Sequence, residues 1–227
     1  MFHSGEIRWF FRGEMQQEIA DWFEERGHGT TEPSRVDDYL VLAHCRTAGI
    51  KFRGGRIEFK TQTGPAQVAS YDNGIAGYRD TWVKWSSKVG DPDYLNDLFV
   101  REEDRWLSVE KRRHLRLISL TAEKPVEVPP GGDWLSRGCQ IELTSVRIWP
   151  RDEGEERAVP WWSLSFEAFN DPKTVLHDLD RAIDHFFDRP PPSPLNLGSS
   201  MSYPVLLNTF CHSKGRLRAR SGQLSSG

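Results

Sequence analysis

The 227-residue chain is short of cysteine, of basic excess and of long apolar runs, and each shortage closes off a class of protein. Its three cysteines, Cys45, Cys139 and Cys211, are odd in number, far apart and without Cys-x-x-Cys spacing, which speaks against a disulfide framework and a zinc site. Lys and Arg number 30 against 33 Asp and Glu, a formal charge of −3, whereas a duplex-wrapping protein carries a basic excess to displace counterions. No window approaches the roughly 18 consecutive apolar residues that cross a bilayer. The opening Met1-Phe2-His3-Ser4-Gly5-Glu6 has neither the basic start nor the apolar core of a secretion signal. His44, His114, His177, His185 and His212 show no helical metal-ligand spacing. The chain therefore reads as a soluble, cytoplasmic protein with reduced thiols, no membrane and no specific nucleic-acid partner.

What is there is bulk for a core. Nine Trp, twelve Phe and five Tyr within a 37% hydrophobic composition exceed what a disordered chain carries. The expected division is a barrel domain over 1–188, a Pro-rich linker and docking segment over 189–210, and a flexible basic tail over 211–227 holding Lys214, Arg216, Arg218 and Arg220. Within the linker, Ser202–Leu207 reads as a last edge segment.

Alternation sets the strands. In Glu6–Phe11, Ile7, Trp9 and Phe11 point one way and Glu6, Arg8 and Phe10 the other. Residues 14–25 switch to helical spacing, and Val36–Ala43 reads as a strand. Ile50–Gln62 holds two alternating runs around Gly54-Gly55, a pair suited to a tight hairpin turn. Lys51 and Arg53 share one face of its first arm, and Arg56, Glu58 and Lys60 one face of its second. Trp82–Trp85, Trp106–Leu117 (with Lys111 and Arg113 on one face), Cys139–Trp149 and Trp161–Phe169 add further strands, the last two joined by about a dozen residues. Residues 174–187 have the spacing of an amphipathic helix. The class this predicts is α+β: a mostly antiparallel β-barrel of about eight strands with flanking helices.

The order strand, helix, strands rich in Lys-x-Arg pairs, strands holding Glu, then helix resembles the CYTH superfamily, the triphosphate tunnel metalloenzymes, over about Glu6–Phe187. Glu6-Ile7-Arg8-Trp9-Phe10 lies where that family shows Glu-x-Glu-x-Lys, so Glu6 matches while Arg8 and Phe10 depart. Lys51-Phe52-Arg53 is similar to its paired basic motif, Lys60 to its next tunnel lysine, and Lys111-Arg112-Arg113 to a middle-strand Lys-x-Arg. Ser165-Phe166-Glu167 keeps one carboxylate of a second Glu-x-Glu.

The resemblance implies a basic tunnel in which Lys51, Arg53, Lys60, Lys111 and Arg113 hold a triphosphate or nucleotide, and Arg8, where this chain departs from the family, is expected to add a further cation to the anion's seat. It also implies Mg or Mn held by Glu6 and Glu167, with Glu142 a third ligand, and metal-dependent hydrolysis. Inward cations neutralise phosphate charge where water is scarce; Arg offers a planar fork and Lys a point charge. The acidic half is thinned, and Arg8 replaces a metal ligand by a cation. The expectation is therefore anion binding with weak or absent triphosphatase activity. The alternative is a non-catalytic interaction or scaffold protein that retains the barrel, its charged strand faces wet or paired with carboxylates.

Overall fold

The computed structural model describes residues 2–25, 27, 29–90, 105–129, 135–169, 171–188, 190–213 and 215. Its strands are β1 Phe2–Arg12, β2 Thr30–Thr31, β3 Arg35–Leu40, β4 Ala48–Arg53, β5 Arg56–Gln62, β6 Gln67–Ser70, β7 Ala76–Lys88, β8 Trp106–Ser119, β9 Val126–Val128, β10 Gly138–Pro150 and β11 Val159–Phe169. Its helices are α1 Gln17–Glu24, α2 Val175–Phe186 and α3 Tyr203–Ser213.

Strand neighbours run β1-β11-β10-β8-β3-β4-β5-β7, and β7 pairs back to β1. All pairings are antiparallel, so eight strands close into a barrel, with β6 on β7 and β2 and β9 on β8. Closure places alternate residues in the lumen and on the outer wall. On β1 this sends Glu6 and Arg8 inward, while Ile7 and Trp9 join the outer core. The β4–β5 turn carries Gly54 at φ 52° and Gly55 at φ 72°, the positive pair that a two-residue hairpin turn requires. The β10–β11 connection, Arg151–Ala158, is shorter than the dozen residues expected because both strands run on.

Outside the barrel, α2 buries Val175, Leu179, Ala182, Ile183 and Phe186 against β1, β10 and β11. Trp22 of α1 stacks on Phe187 and meets Phe186 edge-on, with ring centroids 6.2 and 5.6 Å apart. Each such side chain contributes roughly 2–3 kcal/mol of burial. Among the described residues no helix is long and apolar enough to cross a membrane.

One expected element is corrected. Ser202–Leu207 is not an edge segment: from Tyr203 the chain is helical, with Pro204 in the first turn, where its missing N–H costs no helical hydrogen bond. Leu206, Leu207, Phe210 and Cys211 enter a second core with Phe10, Tyr39, Val41, Leu107, Val109, Val146 and Ile148, stoppering that end of the barrel. Asn208 ties the helix down, accepting from the His44 N–H (3.1 Å) and donating to the Cys45 carbonyl (2.9 Å). Edge pairing falls just before the helix, where the Phe10 N–H donates to the Ser199 carbonyl (2.8 Å) and the Met201 N–H to the Arg8 carbonyl (3.0 Å). Pro190–Pro194 is neither helix nor strand. Cys211–Ser213, expected to open the tail, finish α3; Lys214 and 216–227 lie outside the described residues.

Candidate functional site

The lumen holds a cavity of about 480 Å³, within the roughly 300–1,000 Å³ of small-molecule pockets. All nine residues singled out in the sequence line it: Glu6 and Arg8 from β1, Lys51 and Arg53 from β4, Lys60 from β5, Lys111 and Arg113 from β8, Glu142 from β10 and Glu167 from β11.

Charge is divided unevenly between two walls. On the wall formed by β3, β4, β5, β7 and β8, Asp37 lies 3.3 Å from both Lys51 and Lys111, 3.7 Å from Arg35 and 3.9 Å from Arg53. Glu58 lies 2.5 Å from Arg53, 3.1 Å from Lys51 and 3.6 Å from Lys84. Two carboxylates thus face five cations. Burial pushes the Asp37 carboxyl up, but Lys111, Lys51, Arg35 and Arg53 outweigh it and bring it down to about 2. Glu32 touches this wall from outside the cavity, 3.7 Å from Arg35.

Lys111 is the most buried of the cations that line the cavity. Its ammonium donates to the Tyr39 hydroxyl (2.6 Å) and sits 4.8 Å from the Tyr39 ring and 4.1 Å from the Tyr203 ring. The two rings are stacked, so α3 completes an aromatic seat for the ammonium. Burial lowers the Lys111 pKa despite Asp37.

The wall of β1, β10 and β11 is balanced instead. Arg8 donates to Glu142 (3.5 Å) and Ser163 (3.3 Å); Arg113 donates to Glu142 (2.9 Å) and to Glu32; Lys60 crosses from β5 to donate to Glu6. Burial would raise Glu142, but Arg8, Arg113 and Lys111 bring it to about 2. Glu6 and Glu167 are register partners across β1 and β11. Lys60 and Arg8 overcome burial to hold Glu6 below the usual range, whereas burial and then Glu6 raise Glu167 to about 7.

These carboxylates do not fit a divalent ion. Glu142 is held by two guanidinium groups and Glu6 by an ammonium, and Glu167 shares a proton-binding site with Glu6. Among the described residues no group of three metal-capable side chains gathers. Mg or Mn would have to displace cations already in place.

Sequence reasoning missed Asp37, Arg35, Lys84, Tyr39 and Tyr203. For β3 the signal was present, since Arg35, Asp37 and Tyr39 alternate with Val36 and Asp38 on one face. Tyr203 was not legible, because its role depends on α3 folding back into the barrel end. Trp82 is buried beneath Lys60, whose ammonium lies 5.0 Å from the ring, whereas Trp85 is exposed.

Fold and site together define a closed antiparallel barrel with a charged lumen stoppered at one end. No protein-family model matches the chain, and no curated protein does. Among solved structures it is similar to the RNA triphosphatase domain of a trifunctional mimivirus mRNA capping enzyme, at 11% identity and TM-score 0.41, over 80% of this chain and 89% of that one. It is also similar to a protein from Pyrococcus horikoshii (13% identity, TM-score 0.38) and a conserved hypothetical protein from Pyrococcus furiosus (9%, 0.36), each over 77% of this chain and 85% of that one. The fold class rests on the strand order of this chain, not on likenesses of that size.

Proposed function

We propose that the lumen binds a phosphorylated small molecule of the triphosphate or nucleotide class, held by Lys51, Arg53 and Lys111 with Arg35 and Lys84 beside them, and that hydrolysis is weak or absent. The observation that carries this reading is the excess of five cations over Asp37 and Glu58 on one wall of a cavity. A polyphosphate placed there gains charge-assisted hydrogen bonds in a water-poor site, where Coulomb interactions are strong. Arg8, Lys60 and Arg113 are engaged by Glu6 and Glu142 of the balanced wall and have less charge to give. The donor set leaves Glu6, Glu142 and Glu167 to order those cations rather than to hold Mg or Mn.

A second reading has its own support: all eight lumen cations already have a carboxylate within 4.0 Å, as a scaffold barrel with an internally neutralised lumen would. Thermal denaturation with tripolyphosphate and ATP, each with and without Mg²⁺ or Mn²⁺, separates the two, since a ligand of the folded state raises the midpoint. A rise independent of metal is expected. No shift at millimolar ligand would leave the scaffold reading, and a rise only with metal would restore the carboxylates as ligands.

A further inference from the structure

The end of the cavity opposite α3 is lined unlike the rest. Phe2 opens β1, Phe169 closes β11, Leu117 lies near the end of β8, and Leu135 precedes β10; all four line the cavity and all are partly exposed. The Phe2 and Phe169 rings are 6.2 Å apart. Gly138 lets Phe169 and Leu135 close over it, for a Cβ there would lie 3.0 Å from the Phe169 ring and 3.2 Å from a Leu135 methyl. Leu117 is the register partner of Gln140, two residues along β10. Gln140, which also lines the cavity, has its amide nitrogen committed to Glu142 (2.5 Å). An apolar collar therefore lines the same cavity as Arg35, Arg53 and Lys84, with Phe2 the register partner of Lys84.

We infer that the ligand is an apolar alkyl or aryl ester of a di- or triphosphate, its phosphates on the cationic wall and its apolar group on Phe2, Leu117, Leu135 and Phe169. This rests on the anion-binding reading and narrows it. Bare polyphosphate leaves the collar wet, and a sugar and base would bury polar edges against side chains that offer them no partner. An apolar group there removes apolar surface from water on both sides of the contact.

The test is calorimetric titration of the full chain with geranyl diphosphate and with methyl diphosphate, which share a head and differ in the apolar group. The geranyl ester is expected to bind at least about tenfold more tightly, the equivalent of about 1.4 kcal/mol. Leu117→Ser and Phe2→Ser should each shrink that ratio while leaving methyl diphosphate binding unchanged. Equal affinities, a ratio unaltered in both variants, or tighter binding of ADP than of the geranyl ester would overturn the inference. If methyl diphosphate and inorganic pyrophosphate also fail to bind, the anion reading itself falls, an outcome distinct from equal affinities.

Discussion

Glu6 and Glu167 face each other across the β1–β11 ladder, the first ionised against Lys60 and the second with its carboxyl raised to about 7 by burial and then by Glu6. The pair gives the barrel a pH dependence. Glu167 titrates at about 7 in the folded state against 4.5 for an unperturbed glutamate, so the folded state holds the extra proton and stability falls as pH rises between those values. The loss is expected to reach up to about 3 kcal/mol. Asp80, raised to about 6 by burial and then Glu6, adds to it in the same direction. Urea denaturation from pH 5 to 8 should show the decline, and Glu167→Gln should flatten it; a flat wild-type profile would refute the assignment.

Asp37 has the opposite sign. Its carboxyl lies at about 2 against an ordinary 3.8, so its contribution is complete above pH 4 and fades as pH falls toward 2. Asp37→Asn leaves buried Lys111 and Lys51 without that counter-charge and is expected to cost about 3–5 kcal/mol at pH 7. Tripolyphosphate should stabilise this variant more than the wild type, which comparison of their midpoint shifts checks.

The two walls can be told apart by mutation. Arg53→Ala is expected to weaken tripolyphosphate binding by about 1–3 kcal/mol, whereas Lys60→Ala, which frees Glu6, should change it less. Titration calorimetry on both variants decides; equal losses would mean that the anion spans the lumen.

Tyr203 joins α3 to the site. Its ring lies over Lys111 and 5.0 Å from the Arg8 guanidinium, and meets Phe10 edge-on at 4.9 Å. Tyr203→Ala is expected to destabilise the chain by about 3–5 kcal/mol, read by chemical denaturation. Tyr203→Phe, which keeps the ring, should recover most of that.

Much of this was legible because a barrel strand writes its two faces into alternate residues. Lys51 and Arg53, or Lys111 and Arg113, name the lumen face as soon as closure is assumed. Counter-charges were harder to read. Asp37 sits beside Asp38, and one strand says nothing of which cations its neighbours will bring to it; that is set by register between segments as distant as β3 and β8. Glu142 was legible as a carboxylate but not as the partner of Arg8, 134 positions earlier. The run Tyr203-Pro204-Val205-Leu206-Leu207 carries little helical periodicity and reads as an edge segment; its helix is fixed by the apolar barrel end that receives it.

The seam at Ser199–Met201 ties the beginning of the chain to its end. β1 pairs with β7 only as far as Ile7; beyond it, Arg8 and Phe10 find their backbone partners in Met201 and Ser199, and Ser200 accepts from the Tyr78 N–H (2.8 Å). Loop-closure entropy over that separation must be overcome before any of these bonds forms. During synthesis the first strand therefore waits, one edge incomplete, until nearly two hundred residues later the ribosome delivers the segment that finishes it.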